Sequence, residues 1–317
     1  MKTKTDSSLS TAVATLEAPE NAGTRFTPEE IAHYNTEGYV VVPRLFSASE
    51  VQSAHDAIHE LTRKAAAGDG SKVLELEPEA VNGQRVARRI YNPFLAHETF
   101  HKLGTDPRVL DRIEDLIGRN ICCNLSKLNM KPAKVGSIVD WHQDLSYYPH
   151  TNADLVTVLV YLDDATTENG CLQVIPRHQH HYFSHSRPDG TFAGLISEDL
   201  DSGKYGKPVP LAAPAGSVIF MHCVLPHSSL PNRSEKSRRT LIYSYRAADA
   251  FPIFYSPSVV EFESKVRLVR GSIPDRARFG GPPPIIPRVG TEMKSLYQMQ
   301  LEAKSFLPTA NTKTRSH

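Results

Sequence analysis

From residue 121 onwards the chain carries short runs of β-branched and aromatic residues separated by glycine, proline and asparagine turns, and this pattern limits the fold more than any other feature. The clearest runs are Leu155–Tyr161 and Ser217–Met221, which have the composition that β-strands prefer. Many short strands joined by such turns predict a β-sandwich or a barrel. The predicted strands are 121–131, 139–145, 155–162, 170–175, 208–213, 216–222 and 239–246.

Helices are predicted on the N-terminal side of this β region. Thr27–Glu30 and Ser47–Glu50 are capping boxes, in which a hydroxyl group and a glutamate three residues later satisfy the first turn of a helix. The first of these helices is expected to end near Gly38, and a third helix to run from Asp106 to Gly118.

Composition excludes several classes of function. The 317 residues carry a formal net charge of +1, which does not predict a broad basic surface for nucleic acid. No apolar run approaches the ~18 residues of a membrane span, and the N-terminus lacks the apolar segment of a secretory signal. The four cysteines, of which Cys122 and Cys123 are adjacent, are expected to be reduced thiols. We therefore expect a cytoplasmic protein without a nucleic-acid or membrane partner.

His142, Asp144 and His227 are the candidate metal ligands. On a β-strand, residues i and i+2 point to the same side, so His142 and Asp144 can reach one metal while Gln143 points away. His227 ends a β-rich segment and precedes a polar turn, so it is the expected third ligand, with His222 as its competitor. Two histidines and one carboxylate with open positions are typical of non-haem iron(II) oxygenases.

The chain resembles the phytanoyl-CoA dioxygenase-like family of Fe(II)/2-oxoglutarate-dependent oxygenases over about residues 27 to 250. The resemblance is carried by His142-Gln143-Asp144, by residues 168–176 (ENGCLQVIP), and by His227 with Asn232 and Arg238. It implies a mainly β fold with flanking helices around a double-stranded β-helix core, the jelly roll of the cupin-like proteins.

The length and composition of the chain predict how it is divided. One oxygenase domain is expected, between a disordered N-terminal tail and a free C-terminal tail. The tails are 1–24 and 305–317; the domain, 25–304, has a helical part 25–120, a jelly-roll core 121–250 and a C-terminal extension 251–304, with a short helix from Thr291 to about Lys304.

By resemblance, His142, Asp144 and His227 bind iron(II), and Arg238, eleven residues after His227, binds the distal carboxylate of 2-oxoglutarate. Arginine suits this carboxylate because its planar fork donates two parallel hydrogen bonds. Arg239 is expected to face outwards, since adjacent strand residues point to opposite sides. Further contacts to 2-oxoglutarate are expected from Asn129 and Lys127, either of which could reach the C1 carboxylate, and from Thr157. O2 is the second co-substrate, and ascorbate is an expected stimulant.

The substrate is expected at the mouth of the barrel. Tyr147, Tyr148, Arg88 and Arg246 are the candidate contacts, because an arginine there would suit an anionic substrate. Arg89 and Tyr91, in the same segment as Arg88, are further candidates. The histidines between His178 and His185 are interpreted as a solvated loop near this mouth.

The sequence therefore predicts an oxygenase that hydroxylates an unactivated C–H bond of a small polar or natural-product metabolite, with 2-oxoglutarate converted to succinate and CO2. The alternative is a non-catalytic or differently metallated cupin-like binding protein, which would not need Arg238. A CoA ester is disfavoured because lysine and arginine are spread along the chain. A homodimer is the candidate assembly.

Overall fold

The computed structural model describes residues 23–67, 74–77, 86–134, 137–253, 257–281 and 294–306. The two predicted capping boxes are confirmed: Thr27 and Ser47 each accept a hydrogen bond from the backbone of a glutamate three residues later, which in turn caps the hydroxyl residue's own N–H. The first helix ends at Gly38, which has the left-handed conformation that favours glycine (φ 87°). The helices are α1 (Pro28–Glu37), α2 (Ala48–Ala66), α3 (Pro93–Ala96), α4 (Glu98–Gly104), α5 (Pro107–Ile117), α6 (Pro257–Lys265) and α7 (Leu296–Ala303).

Two antiparallel sheets form the jelly roll. The larger has eight strands, in the order β1-β9-β6-β11-β4-β3-β2, with β12 also paired to β4; the smaller has the order β5-β10-β7-β8. The strands are β1 (Tyr39–Val42), β2 (Leu74–Leu76), β3 (Ala87–Tyr91), β4 (Ile121–Lys131), β5 (Val139–His142), β6 (Leu155–Tyr161), β7 (Leu172–Val174), β8 (Val209–Pro210), β9 (Val218–His222), β10 (His227–Ser229), β11 (Arg238–Ala247) and β12 (Arg267–Arg270).

The core has two layers, one on each face of the large sheet. Strand β6 is buried along all seven residues, which explains why its sequence is apolar throughout rather than alternating. Val156, Val158 and Val160 pack outwards with the helices. Leu159 and Tyr161 pack inwards, between the two sheets. The inward side of β6 therefore lines the space in which Thr157 also lies.

Several strand predictions need correction. The strand predicted over 139–145 ends at His142, and Asp144 begins a 3-10 turn, Asp144–Tyr147. Residues 228 and 229, interpreted as the start of the polar turn after His227, form β10 together with His227. The runs 170–175 and 208–213 contain only three and two strand residues.

The N-terminal part also contains strands β2 and β3, which were not predicted, and together with β1 they extend the large sheet. Helix α7 is capped by Ser295, so it begins later than the predicted Thr291, which lies outside the described residues. Most of the two predicted tails also lies outside them, and the domain boundaries remain a prediction. Within the described part of the chain, no helix is both long enough and apolar enough to cross a membrane.

Candidate metal centre

Three potential metal ligands converge at one edge of the small sheet. His142 on β5 and His227 on β10 are direct partners in the strand register, so their side chains lie on the same face. Gln143 is extended (φ −121°, ψ 128°), which brings Asp144 to that face even though the strand has ended. One ligand atom from each of His142, Asp144 and His227 lies within 4.8 Å of the others, and all three residues are buried.

Both imidazoles are oriented by the backbone. Nδ1 of His142 contacts the carbonyl oxygen of Asp140 at 2.8 Å, and Nδ1 of His227 contacts that of Leu225 at 2.9 Å. A carbonyl oxygen only accepts, so each Nδ1 carries the proton and each Nε2 presents a lone pair. The two Nε2 atoms lie 3.9 and 3.8 Å from Oδ1 of Asp144. Burial lowers the pKa of both histidines, which favours the neutral form that binds metals.

The carboxylate of Asp144 is held from one side. Thr157 donates a hydrogen bond from Oγ1 to Oδ2 at 2.5 Å, which leaves Oδ1 directed at the two imidazoles. Burial raises the pKa of Asp144, but the neighbouring basic groups, chiefly His227 and Lys127, outweigh burial and lower it to about 2. Two neutral imidazoles and one ionised carboxylate are a ligand set that suits iron(II), and their other polar atoms are already hydrogen-bonded to the protein.

Arg238 lies on the inner side of the large sheet and is 4% exposed. Its NH1 donates to Oγ1 of Thr240 at 2.9 Å, and its Nε has no hydrogen-bond partner. No carboxylate of the described residues forms an ion pair with it. Arg239 faces the other way, as alternation requires, and pairs with Asp163 through both Nε and NH2. Arg238 is therefore a buried cation that is open to an anionic ligand.

The other predicted cosubstrate contacts have different surroundings. Lys127 has no hydrogen bond or ion pair with any described residue, and burial lowers its pKa, opposed by the charge of Asp144. Oδ1 of Asn129 already accepts a hydrogen bond from Nε of Arg89 at 2.7 Å. Thr157 was expected to contact 2-oxoglutarate, but its hydroxyl proton is used by Asp144. Thr157 is therefore a positioning residue for the metal ligand.

Among the predicted substrate contacts, Tyr147 and Tyr148 follow the metal ligands directly. The ring of Tyr147 packs edge-on against His142 at 5.8 Å between centroids, and its hydroxyl donates to the carbonyl oxygen of Gly194. Tyr148 is 7% exposed, and its hydroxyl lies 3.4 Å from that of Ser244. Both tyrosines therefore pack at the site, and a direct substrate contact stays a prediction.

Arg88 and Arg246 were predicted to contact an anionic substrate, and the structure shows that Arg246 already has a carboxylate partner. Its NH1 and NH2 donate to the two carboxylate oxygens of Glu263 at 2.8 and 2.9 Å, and NH1 also donates to His150. The Nε of Arg88 lies 3.9 Å from Oε2 of Glu77, and its guanidinium packs against the ring of Tyr297. The charge of Arg246 is thus balanced within the protein.

The interpretation of the histidines from His178 to His185 as a solvated loop is wrong for His185, which is 4% exposed. Its Nε2 accepts a hydrogen bond from the backbone N–H of Gln143 at 3.0 Å, so it supports the segment between His142 and Asp144. Burial lowers the pKa of His185 to about 4.

The competing ligand His222 does not belong to the metal group. Its Nδ1 accepts from the backbone N–H of Val224 at 3.1 Å, and burial lowers its pKa to about 4. It is a satisfied histidine at the end of β9.

A glutamine from the C-terminal extension also reaches the site, and the sequence offered no local signal for it. Gln300 on α7 is 2% exposed and donates to the carbonyl oxygen of Gly194 at 2.9 Å. Its side-chain oxygen lies 3.3 Å from the backbone nitrogen of Asp140, whose carbonyl orients His142. Helix α7 therefore packs directly behind a metal-ligand strand.

Comparison with known proteins shows which family has a matching sequence. The family model described as phytanoyl-CoA dioxygenase (PhyH) matches residues 34–240. A protein of Stutzerimonas stutzeri named "Probable alpha-ketoglutarate-dependent hypophosphite dioxygenase" is 32% identical over 254 residues, which are 77% of this chain and 87% of that protein. The methylphosphonate hydroxylase of Gimesia maris is 28% identical over 225 residues, 71% of this chain and 82% of the relative.

A solved structure has the same fold. The crystal structure of EctD from S. alaskensis with 2-oxoglutarate and 5-hydroxyectoine superposes with a TM-score of 0.60 at 25% identity. The superposition covers 70% of this chain and 77% of EctD.

Proposed function

This chain belongs to the phytanoyl-CoA dioxygenase family and is an iron- and 2-oxoglutarate-dependent dioxygenase, and we propose that it hydroxylates an unactivated C–H bond of a small polar metabolite. The observation that carries the proposal is the arrangement of His142, Asp144 and His227, whose free donor atoms face one point while their remaining polar atoms are bonded to the protein. Two of the relatives are named for small phosphorus oxyanions, which supports a polar substrate.

In this proposal, His142, Asp144 and His227 bind iron(II) through Nε2, Oδ1 and Nε2. When bound, the metal supplies with 2-oxoglutarate and O2 the oxidising chemistry that yields succinate and CO2. The protein's contribution is positional, because the carbonyl oxygens of Asp140 and Leu225 fix both rings before any metal arrives. Preformed ligand geometry of this kind raises metal affinity without any rearrangement on binding.

Arg238 binds the distal carboxylate of 2-oxoglutarate in this proposal. Its guanidinium is buried and has no carboxylate partner among the described residues, so a carboxylate ligand would remove an unfavourable buried charge. Lys127 then contacts the C1 carboxylate, since it lies on the adjacent strand within electrostatic reach of Asp144. Asn129, bonded to Arg89, helps to shape that end of the pocket.

The test is succinate formation from 2-oxoglutarate with iron(II), with and without O2, for the wild type and for His142→Ala, across a panel of small polar metabolites. His222→Ala is the matched control, because it removes a half-buried histidine outside the metal group. We expect O2-dependent succinate in the wild type and control but not in His142→Ala, and the true substrate will raise the rate and acquire a hydroxyl group. No succinate, together with no binding of iron(II) or 2-oxoglutarate, would favour a non-catalytic or differently metallated jelly roll.

A further inference from the structure

Arg89 is a buried cation that the proposed chemistry does not use. It lies on β3, directly opposite Asn129 of β4, and is 3% exposed. Its NH2 has no hydrogen-bond partner among the described residues, and no carboxylate of these residues comes within ion-pair distance of its guanidinium. Glu75, its partner in the strand register, accepts a hydrogen bond from the hydroxyl of Tyr91 instead. A buried donor without a partner is unfavourable, so NH2 is open to an acceptor that the protein itself does not provide.

The guanidinium of Arg89 is held in a fixed orientation. Nε donates to Oδ1 of Asn129 at 2.7 Å, and NH1 lies 3.5 Å from the hydroxyl of Tyr91. The rings of Tyr297 and Tyr91 lie 4.8 and 5.5 Å from its central carbon. Aromatic rings interact with the face of a guanidinium, which leaves its N–H edge for acceptors. The free NH2 on this edge is therefore a directed donor rather than a mobile one.

The charges around the site favour an anion here even when the cofactors are bound. Iron(II) and 2-oxoglutarate carry equal and opposite charges, so bound together they do not offset the three cations Arg238, Lys127 and Arg89. Asp144 offsets one of them. Glu75, which lies opposite Arg89 on β2, can offset one more. One positive charge still remains. The two carboxylates of 2-oxoglutarate are assigned to Arg238 and Lys127, so Arg89 is the cation that is left without an anionic partner.

We propose that Arg89 binds an oxyanion group of the substrate, a carboxylate or a phosphonate, and that the enzyme therefore acts on small anionic molecules. This inference rests on the proposed function, because it assigns the two carboxylates of 2-oxoglutarate to Arg238 and Lys127. Asn129 and Tyr91 hold the guanidinium of Arg89 and leave NH2 free. This arrangement suits an oxyanion, because the planar guanidinium can donate to two of its oxygens.

The experiment is anaerobic calorimetry on the protein loaded with iron(II) and 2-oxoglutarate. The probes are acetate and methylphosphonate, with acetamide as the uncharged counterpart of acetate. We expect the wild type to bind at least one oxyanion at millimolar concentration and acetamide more weakly. Arg89→Met is expected to lose about tenfold or more in oxyanion affinity, as the loss of a charge-assisted hydrogen bond predicts, while its affinity for 2-oxoglutarate is unchanged.

The matched control is Arg112→Met. Arg112 is also buried, at 2% exposure, but its guanidinium donates to backbone carbonyl oxygens outside the site. Should Arg89→Met fail to fold, Arg89→Lys keeps the charge and removes the fork, and an intermediate loss of oxyanion affinity is expected.

Three results would overturn the inference: no oxyanion binds the wild type, Arg89→Met binds oxyanions as well as the wild type does, or its 2-oxoglutarate affinity falls in parallel. The last result would assign Arg89 to the cosubstrate. Each differs from failure of the proposed function, in which the wild type would bind neither iron(II) nor 2-oxoglutarate.

Discussion

Arg238 and Arg246 lie on the same strand, β11, and both are 4% exposed, yet their surroundings differ completely. Arg246 is bonded to both carboxylate oxygens of Glu263 and to His150. The Nε of each arginine has no hydrogen-bond partner among the described residues, but Arg238 has only one partner in all, the neutral hydroxyl of Thr240. Burial alone therefore does not separate a structural arginine from a ligand-binding one.

The difference lies in whether a carboxylate of the protein pairs with the buried cation. A cation that is buried with its carboxylate contributes to the fold, and its removal leaves that carboxylate without a partner. A cation that is buried without one destabilises the ligand-free protein and contributes to binding instead. Asp144 combines both situations in one side chain. Its Oδ2 is hydrogen-bonded to Thr157 within the protein, whereas its Oδ1 faces the two imidazoles and is left for a ligand.

The largest effect is expected for Arg238→Met. This change should raise the KM for 2-oxoglutarate about 100-fold or more, because it removes the charge-assisted hydrogen bonds to the distal carboxylate. It should not lower the thermal stability of the ligand-free protein, since no internal carboxylate loses its partner. Succinate release against 2-oxoglutarate concentration and thermal unfolding measure the two quantities. A KM like that of the wild type would remove Arg238 from the cosubstrate site.

Arg246→Met should behave in the opposite way. Loss of the pair with Glu263 is expected to lower the free energy of unfolding by about 2 kcal/mol, a reduced value because Glu263 remains partly solvated. The KM for 2-oxoglutarate should stay at the wild-type value. Denaturant unfolding and the same succinate assay test this. If stability is unchanged and the KM rises, the assignment of the two arginines is reversed.

Thr157→Val tests the half-bonded carboxylate of Asp144. The change preserves shape but removes the hydrogen bond to Oδ2, so the carboxylate is less firmly oriented. Supporting bonds of this kind typically contribute about 10- to 100-fold to metal affinity, and we expect about tenfold weaker iron(II) binding. Anaerobic metal titration gives the value. Thr240→Val, whose partner is Arg238 instead, should leave iron(II) affinity unchanged.

The smallest effect concerns acid stability. Burial and then the charge of Arg246 lower the pKa of His150 from 6.5 to about 3, so the folded protein keeps this ring neutral while the unfolded chain takes up a proton. Stability is therefore lost as the pH falls from about 6.5 towards 3. In Arg246→Met one cause of the shift is absent, so the pKa of folded His150 lies closer to 6.5 and the total loss of stability should be smaller. Unfolding free energies at several pH values in this window measure the loss in each protein, and equal losses would contradict the account.

The parts of the site that sequence could predict depend on local geometry. His142 and Asp144 follow from the two-residue repeat of an extended chain, and the opposite orientation of Arg238 and Arg239 follows from the same rule. His142 and Asp144 lie on the same side as predicted, although β5 ends at His142, because the backbone of Gln143 is extended. The partners of Arg246 were not predictable in this way, since Glu263 is seventeen residues away on a helix that carried no recognised signal.

Parts of the fold were beyond the sequence for a similar reason. Strand β4 was predicted with its observed bounds because eleven consecutive residues carry a strand pattern. Strand β10 has only three residues, His-Ser-Ser, and exists because β5 and β7 pair with it on both sides. His185 is buried by tertiary packing in a segment whose composition is polar. The intrinsic propensity of residues for a secondary structure predicts long elements, whereas a short strand forms only because of the strands that pair with it.

The most direct test of the contrast between the two arginines is an anaerobic crystal structure with manganese(II), in place of iron(II), and 2-oxoglutarate. The account predicts the metal on His142, Asp144 and His227 and the distal carboxylate of 2-oxoglutarate on Arg238, with Arg246 still bonded to Glu263. A cosubstrate carboxylate bound at Arg246, or a metal bound away from these three ligands, would contradict it.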